Sequence, residues 1–492
     1  MIALPHLSPL EHGGFVAAGL LVYVVVTRVR HQRRHPYAAL AWVMAIIAFP
    51  YLGVPAFLLF GTRKFVRPDT PRAAAPHEAW AALTPHWATQ LLAALGVNGP
   101  RPSTDVAFQA DGESALVALQ ALIGTARQTL DICTYVLGDD EVGAAIAQQL
   151  ADRARAGVRV RLLVDAAGSL KSAHSHDAVL LPAGVSTRLF MPPLHNPRRG
   201  RTNLRNHRKF AIADGQQVWS GGRNLANEYF IGRVGEMPWL DLSFTARGAL
   251  AEQAQRIFDG DWQIASGGAA LQTPTPTPTP TPESETASAA LPPTAAAAPA
   301  ASSSAASAES RANRPTLAQW VASGPDFHDD TLHALLLSAT YHAQWRLMLA
   351  TPYFVPDEGL LDGLRLAATR GVRITLVLPA ESNHRLADWA RGRAVRTLVE
   401  AGAQVRLVPA MMHAKAVVVD DELALCGSAN LDSRSLFINY EASAAFYGTE
   451  QIDWLAGWIA STAERGQPAS AKPPSWWRDV AEGIVATVAF QL

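Results

Sequence analysis

The chain has 492 residues, more than one ordinary domain and enough for several packed units with a sizeable core. Its 42 basic and 42 acidic side chains cancel, which excludes a net field as the means of holding nucleic acid and leaves that task to local charge. Only two cysteines occur, Cys133 and Cys426, each in an apolar run and far apart, so neither a disulfide framework nor a zinc cluster is indicated.

In chain order, an apolar run of 15 residues, Gly13–Thr27, comes first. Ala38–Phe60 follows, 23 residues without a charge, which predicts one helix long enough to cross a hydrocarbon core of about 30 Å, kinked at Pro50 and Pro55. Arg28, Arg30, Arg33 and Arg34 follow the first run rather than precede it, which argues against a cleaved signal peptide. Arg63, Lys64, Arg67 and Arg72 balance them on the far side, so loop charge does not orient the pair. Residues 1–66 therefore read as a membrane anchor of two transmembrane helices, and 67–104 as a helical connector.

Beyond the connector the chain repeats itself. Ala156–Val164 is echoed by Arg370–Leu378, 214 residues later, and the strand ending at Tyr135 by the one ending at Tyr353, 218 later. Each copy reads as strand, apolar-periodic helix (Glu141–Ala156, Gly359–Arg370), Gly turn and β-branched strand. That rhythm predicts α/β domains with a parallel or mixed sheet between helices, over 105–266 and 315–492. Between them lies 267–314, with a (Thr-Pro)5 run at Thr273–Pro282 and an Ala/Ser/Pro tract that cannot bury enough apolar surface to offset ordering; it reads as a disordered linker. Trp476, Trp477 and Ile484–Phe490 read as a docked terminal surface helix.

The repeat also duplicates reactive side chains. His207, Lys209 and Asp214 are followed by Gly221, Gly222 and Asn224; His413, Lys415 and Asp420 by Gly427, Ser428 and Asn430, with identical spacing. One such match is weak evidence, but two at corresponding points of a repeat are strong. Residues two apart in an extended chain share a face, so each His and Lys project together. Histidine serves as nucleophile or general acid, and lysine is a point charge suited to a phosphoryl oxygen. A small Gly-Gly or Gly-Ser pair permits close approach to a ligand, and the following Asn adds amide donors. Two such faces meeting around one phosphorus need no metal or other cofactor. Asp214 and Asp420 join the catalytic set, with a structural ion-pair role weighed evenly against it. Tyr353 and Asp357 are weaker candidates for substrate contact.

These motifs resemble the phospholipase D superfamily signature. Asn206-His207-Arg208-Lys209, Glu228-Tyr229, Thr351–Asp357, Asn430-Leu431-Asp432-x-Arg434-Ser435 and Asn439-Tyr440-Glu441 are similar to those of bacterial cardiolipin synthases. The resemblance implies two phospholipase D-like α/β/α sandwich domains behind a transmembrane hairpin, in a multi-pass protein of the bacterial inner membrane. It implies a ping-pong transfer through a phosphohistidine, from one phosphatidylglycerol to another, with His207 as nucleophile and His413 as acid and base. Asp241 and Glu441, each on the strand after its copy's Gly-Gly/Ser loop, are expected to orient the histidines. Partners would be anionic membrane lipids, with no nucleic acid expected; Arg198, Arg199, Arg201, Arg205 and Arg208 form a basic run that suits lipid headgroups or a solvated loop. A superfamily hydrolase of lipid or nucleic acid is the alternative, since hydrolysis differs only in water replacing the alcohol. A non-catalytic scaffold is disfavoured by the intact duplicate motifs.

Overall fold

The computed structural model describes residues 9–29, 36–61, 86–172, 174–192, 203–267, 315–327 and 329–488. Most of the 267–314 segment, residues 62–85 with the basic residues expected after the anchor, and the Arg198, Arg199 and Arg201 part of the basic run lie outside the described residues.

The first copy supplies β1 (Arg101–Gln109), β2 (Thr129–Thr134), β3 (Arg159–Asp165), β4 (Ser186–Phe190), β5 (Phe210–Ala213), β6 (Gln217–Gly221) and β7 (Ser243–Gly248). The second supplies β8 (Thr316–Ser323), β9 (Arg346–Ala350), β10 (Phe354–Val355), β11 (Arg373–Pro379), β12 (Gln404–Val408), β13 (Ala416–Val419), β14 (Leu423–Gly427), β15 (Leu431–Asp432), β16 (Glu441–Phe446) and β17 (Gln467–Pro468). From the centre outwards the order is β1-β7-β6-β5-β2-β3-β4 in one copy and β8-β16-β14-β13-β9-β11-β12 in the other, with β17 beyond. The two halves are thus the same mixed sheet twice, with β2–β3 and β9–β11 parallel as the strand–helix–strand rhythm predicts. They also fuse: β1 pairs antiparallel with β8 through Arg101–Ala318, Pro102–Leu317 and Ser103–Thr316, giving one fifteen-stranded sheet among the described residues.

The crossover helices form where periodicity and capping agree. Asp140 accepts from the Gly143 amide at 3.0 Å to open Glu141–Arg155, which buries Val142, Ile146 and Leu150. Asp357 accepts from the Gly359 amide at 3.1 Å to open Glu358–Thr369 and also takes His333 Nε2 at 2.8 Å. It is therefore a cap and not a substrate contact. At the seam Trp320 packs edge-on against Phe210 and donates its indole N–H to the Leu250 carbonyl at 2.9 Å, tying the second copy's first strand to the first copy's last helix, Ala249–Ala265.

The N-terminal expectation needs correction. Pro9–Val29 is a helix of 21 residues, but the segment read as one span divides into Pro36–Ala48 and Pro50–Phe60. Phe49 leaves the helical region, φ −141° and ψ 67°, because the ring of Pro50 crowds the residue before it and opens a new helix instead. Among the described residues no helix is long and apolar enough to cross a membrane. At the other end the helix Trp476–Val488 is held by ion pairs, Asp479 with Arg393 at 2.9 Å and Arg396 at 3.2 Å, and Glu482 with Arg396 at 2.9 Å; the last part of the run read there, through Phe490, lies outside the described residues.

Candidate active site

The two motifs meet because each lies beside the other copy's backbone. His207 donates its amide to the Tyr440 carbonyl at 2.9 Å, and Tyr440 donates to that of Arg205 at 2.8 Å. His413 donates to the Leu240 carbonyl at 2.7 Å, and Leu240 to that of Met411 at 2.9 Å. Tyr440 and Leu240 immediately precede Glu441 and Asp241, so these links deliver each carboxylate to the opposite histidine. His207 Nδ1 lies 3.1 Å from Glu441, and His413 Nδ1 lies 2.8 Å from Asp241. Both residues read as orienting groups are therefore at the histidines, exchanged between the copies.

A carboxylate at Nδ1 favours the tautomer that donates there, which leaves His207 Nε2 for a substrate, while His413 Nε2 lies 3.0 Å from the Lys415 ammonium. Both carboxylates are fully buried. Burial alone would raise them, but the facing histidines and nearby lysines outweigh it and hold both below the ordinary carboxylate range. Glu441 also accepts from Ser428 Oγ at 2.5 Å and Asn439 at 3.2 Å, while Asp241 accepts from the Leu242 amide at 2.7 Å. Tyr135 stands edge-on to His207 at 5.1 Å between ring centres, and Tyr229 edge-on to His413 at 5.0 Å, fixing both rings.

Lys209 and Lys415 are buried beside their histidines, each donating its ammonium to its own histidine's carbonyl, Lys209 at 2.5 Å. Desolvation lowers Lys209 to about 8 and Lys415 to about 7, and burial with the neighbouring Lys415 lowers His413 to about 3. His207 is lowered as well, chiefly by burial. Neither lysine is among the side chains that wall the cavity shared by the two histidines, so each is a poorly solvated cation beside it.

His207, His413, Asn224 and Asn430 share one cavity of about 250 Å3, walled also by Arg205, Arg434, Tyr135, Tyr229, Trp239, Tyr353, Asn383 and His384. The amide oxygens of Asn224 and Asn430 are buried without a partner, so each has acceptor capacity for a ligand. Tyr135, Tyr229 and Trp239 were not singled out as site residues. Alignment of the repeat, which pairs Tyr135 with Tyr353, carries a signal for the first, and the Glu228-Tyr229 pair carries one for the second.

Other expectations fail on geometry. Gly222 and Ser428 do not wall the cavity; a Cβ on Gly222 would strike the Asp241 carboxylate, and Ser428 holds Glu441. Both serve the orienting carboxylates and not the substrate. Asp214 accepts the amides of Arg127, Gln128 and Thr129 at 2.9, 2.7 and 2.8 Å, and Asp420 those of Gln344, Trp345 and Arg346 at 2.8, 3.0 and 2.8 Å. Each occupies a left-handed turn, φ 53° and 46°, that clamps the start of a neighbouring strand, and neither reaches the cavity. They leave the catalytic set. Asp420→Ala is accordingly expected to destabilise the fold by about 2–3 kcal/mol, from orphaned amides and left-handed strain, with kcat of the folded enzyme unchanged; a thermal melt alongside active-site titration checks both. Arg208 is no lipid-facing charge either, since it is buried against Asp261 at 2.5 Å and the carbonyls of Ser323 and Glu441.

The family model described as cardiolipin synthase, PLD-like domain, matches residues 119–262 and 336–462, and the phospholipase D-nuclease N-terminal model matches 19–61. Cardiolipin synthase A of Pseudomonas putida (strain GB-1) is 30% identical over 87% of this chain and 85% of its own length. Cardiolipin synthase A of Pseudomonas putida (strain W619) is 29% identical over 92% and 90%. Among solved structures, phosphatidylserine synthase of Haemophilus influenzae Rd KW20 shares the fold, with a TM-score of 0.56 at 14% identity over 80% of this chain and 97% of that one. Two duplicated motifs in one cavity, on a doubled sheet and with relatives that span nearly the whole chain, place the protein: it belongs to the cardiolipin synthase family of phospholipase D-like proteins.

Proposed function

We propose that the chain moves a phosphatidyl group from one phosphatidylglycerol to the primary hydroxyl of another, giving cardiolipin and glycerol. The observation that carries this reading is the pair of buried histidines in one cavity, each with its Nδ1 on a carboxylate and a lysine beside it. Nε2 of His207 attacks phosphorus, the P–O bond to glycerol breaks, and His413 supplies the proton to the departing alkoxide. The acceptor hydroxyl then gives its proton to His413 and displaces His207. One phosphodiester replaces another, so no energy source is required. His413 is held neutral in the empty site by burial and then by Lys415, and a phosphodiester anion near both offsets these costs so that the ring can take up the proton it donates. The open amide oxygens of Asn224 and Asn430 suit hydroxyl donors of a glycerol headgroup, which favours an alcohol over water as acceptor.

The N-terminal helices seat the chain at a bacterial membrane, supported by apolar side chains such as Phe15, Leu21 and Leu52 that stay half or more exposed. Incubating the purified chain with labelled phosphatidylglycerol and resolving the products tests the reading. Cardiolipin with glycerol is expected; phosphatidic acid alone would identify a hydrolase.

Binding should weaken as pH rises. Lys415 and Lys209 titrate near 7 and 8 in the empty site, both lowered by burial, and a bound phosphate anion would raise them. Above those values binding must take up protons that the empty site has lost. Kd for a non-reactive phosphodiester lipid is therefore expected to climb between pH 7 and 9, by up to about tenfold per unit for each proton taken up. A flat Kd over that range would remove the lysines from phosphate binding.

A further inference from the structure

The cavity is polar inside, but the segments flanking its mouth turn large apolar side chains to solvent among their charged ones. On the first copy's side Glu228, Tyr229 and Trp239 wall the cavity, and the turn between them, closed by Arg233 and Glu236, exposes Ile231, Val234 and Met237 by 45%, 106% and 82%. On the second copy's side Ala387 walls the cavity, while its helix Arg385–Ala390 turns out Leu386 and Trp389, 53% and 46% exposed. Large side chains this exposed on both sides of one mouth mark an interaction surface rather than scattered surface apolarity. The helix Arg385–Ala390 packs on Trp476–Val488, which exposes Trp476 and Trp477 and itself packs on the N-terminal helix Pro36–Ala48. These elements thus touch in turn from the N-terminal helices to the mouth.

We propose that these two lips, the Ile231–Met237 turn and the Leu386–Trp389 helix face, form a docking surface for the face of a phospholipid bilayer. The inference rests on the lipid-transfer reading above. A protein seated on both lips would close the cavity between them, whereas a bilayer covers the mouth and is itself the store of substrate. Seated there, a lipid need only lift its headgroup between the lips, because its acyl chains keep apolar contact throughout. Tryptophan at the rim fits the level where hydrocarbon meets headgroups.

The test uses the full chain reconstituted in phosphatidylglycerol bilayers. Cys133 and Cys426 are buried, so an environment-sensitive fluorophore can be placed selectively at Val234→Cys or Leu386→Cys. Emission shifted to the blue and quenched by lipids carrying a spin label near the headgroup is expected. Val234→Glu with Met237→Glu should slow turnover of long-chain phosphatidylglycerol in bilayers by at least roughly tenfold, leaving turnover of a monomeric short-chain phosphatidylglycerol unchanged. A label that stays wet and unquenched overturns the inference. So does a blue shift without lipid quenching that grows with protein concentration, which would assign the lips to a second copy. Equal loss on both substrates would make the residues structural and also overturn it. If the unsubstituted chain makes no cardiolipin from either substrate, the transfer reading fails, and the fluorophore alone decides the docking.

Discussion

Replacing His207 or His413 with alanine is expected to lower cardiolipin formation by about 10^4-fold or more, and replacing both should cost little beyond either single change. The reason is geometric. Both rings face one cavity, each is oriented by a carboxylate from the opposite copy, and neither half contains a complete histidine–carboxylate pair of its own. A histidine that attacks without an acid, or an acid without an attacking histidine, stops the same step. The fold should survive, because Glu441 keeps its bonds from Ser428 and Asn439 and Asp241 keeps the Leu242 amide. Product formation by chromatography and melting temperature by calorimetry read the two separately. If either variant kept a tenth of the activity with an unchanged melting temperature, two independent half-sites would replace the single shared one.

The His and Lys side chains that meet at the cavity were legible because their signal is local and doubled. A His and a Lys two residues apart on extended chain, followed at fixed distances by a turn and a Gly-Gly/Ser pair, leave the same trace twice in the sequence. The strand–helix–strand rhythm was legible for the same reason, since period and caps act within a dozen residues. What escaped is non-local. Nothing in the spacing of Asp241 or Glu441 says that the backbone links at Leu240 and Tyr440 hand each carboxylate to the other copy. Nor does spacing reveal that β1 and β8 fuse the two sheets. Asp214 and Asp420 misled because a repeated acidic residue beside a motif looks chemical, while its use as a clamp on strand-start amides becomes visible only once the strands are adjacent. Arg208 misled in the same way: part of a basic run in sequence, it is buried against Asp261, which lies 53 residues on. Phe49 shows the remaining kind of error: composition predicts one uncharged helix with a kink, whereas the steric demand of Pro50 on its predecessor breaks it in two.

Which histidine attacks is decided by a trapped intermediate, and the expected result is a burst. The surroundings of the two rings are not equivalent: His207 Nδ1 lies 3.1 Å from both Glu441 and the Ser428 carbonyl, while His413 Nδ1 has Asp241 at 2.8 Å and the Lys415 ammonium at 2.8 Å. Burial, together with the cation against the ring, favours the neutral form of His413, which then gains a proton only as the substrate's negative charge arrives, as suits a group that must take up and release protons in turn. If His207 is the nucleophile, His413→Ala can still attack phosphorus but has no acid for the leaving alkoxide. A phosphatidyl nitrophenol removes that need, because nitrophenolate departs without protonation. The His413→Ala enzyme should release about one equivalent of nitrophenol per site and then stall, since no base remains to activate an acceptor hydroxyl against the phosphatidyl-histidine. His207→Ala should show no burst and carry no adduct. Rapid-mixing absorbance counts the burst, and peptide mapping at alkaline pH, where phosphohistidine survives, locates the group. An adduct on His413 in the His207→Ala enzyme would reverse the two roles and leave the shared cavity, the exchanged carboxylates and the lysines in their present parts.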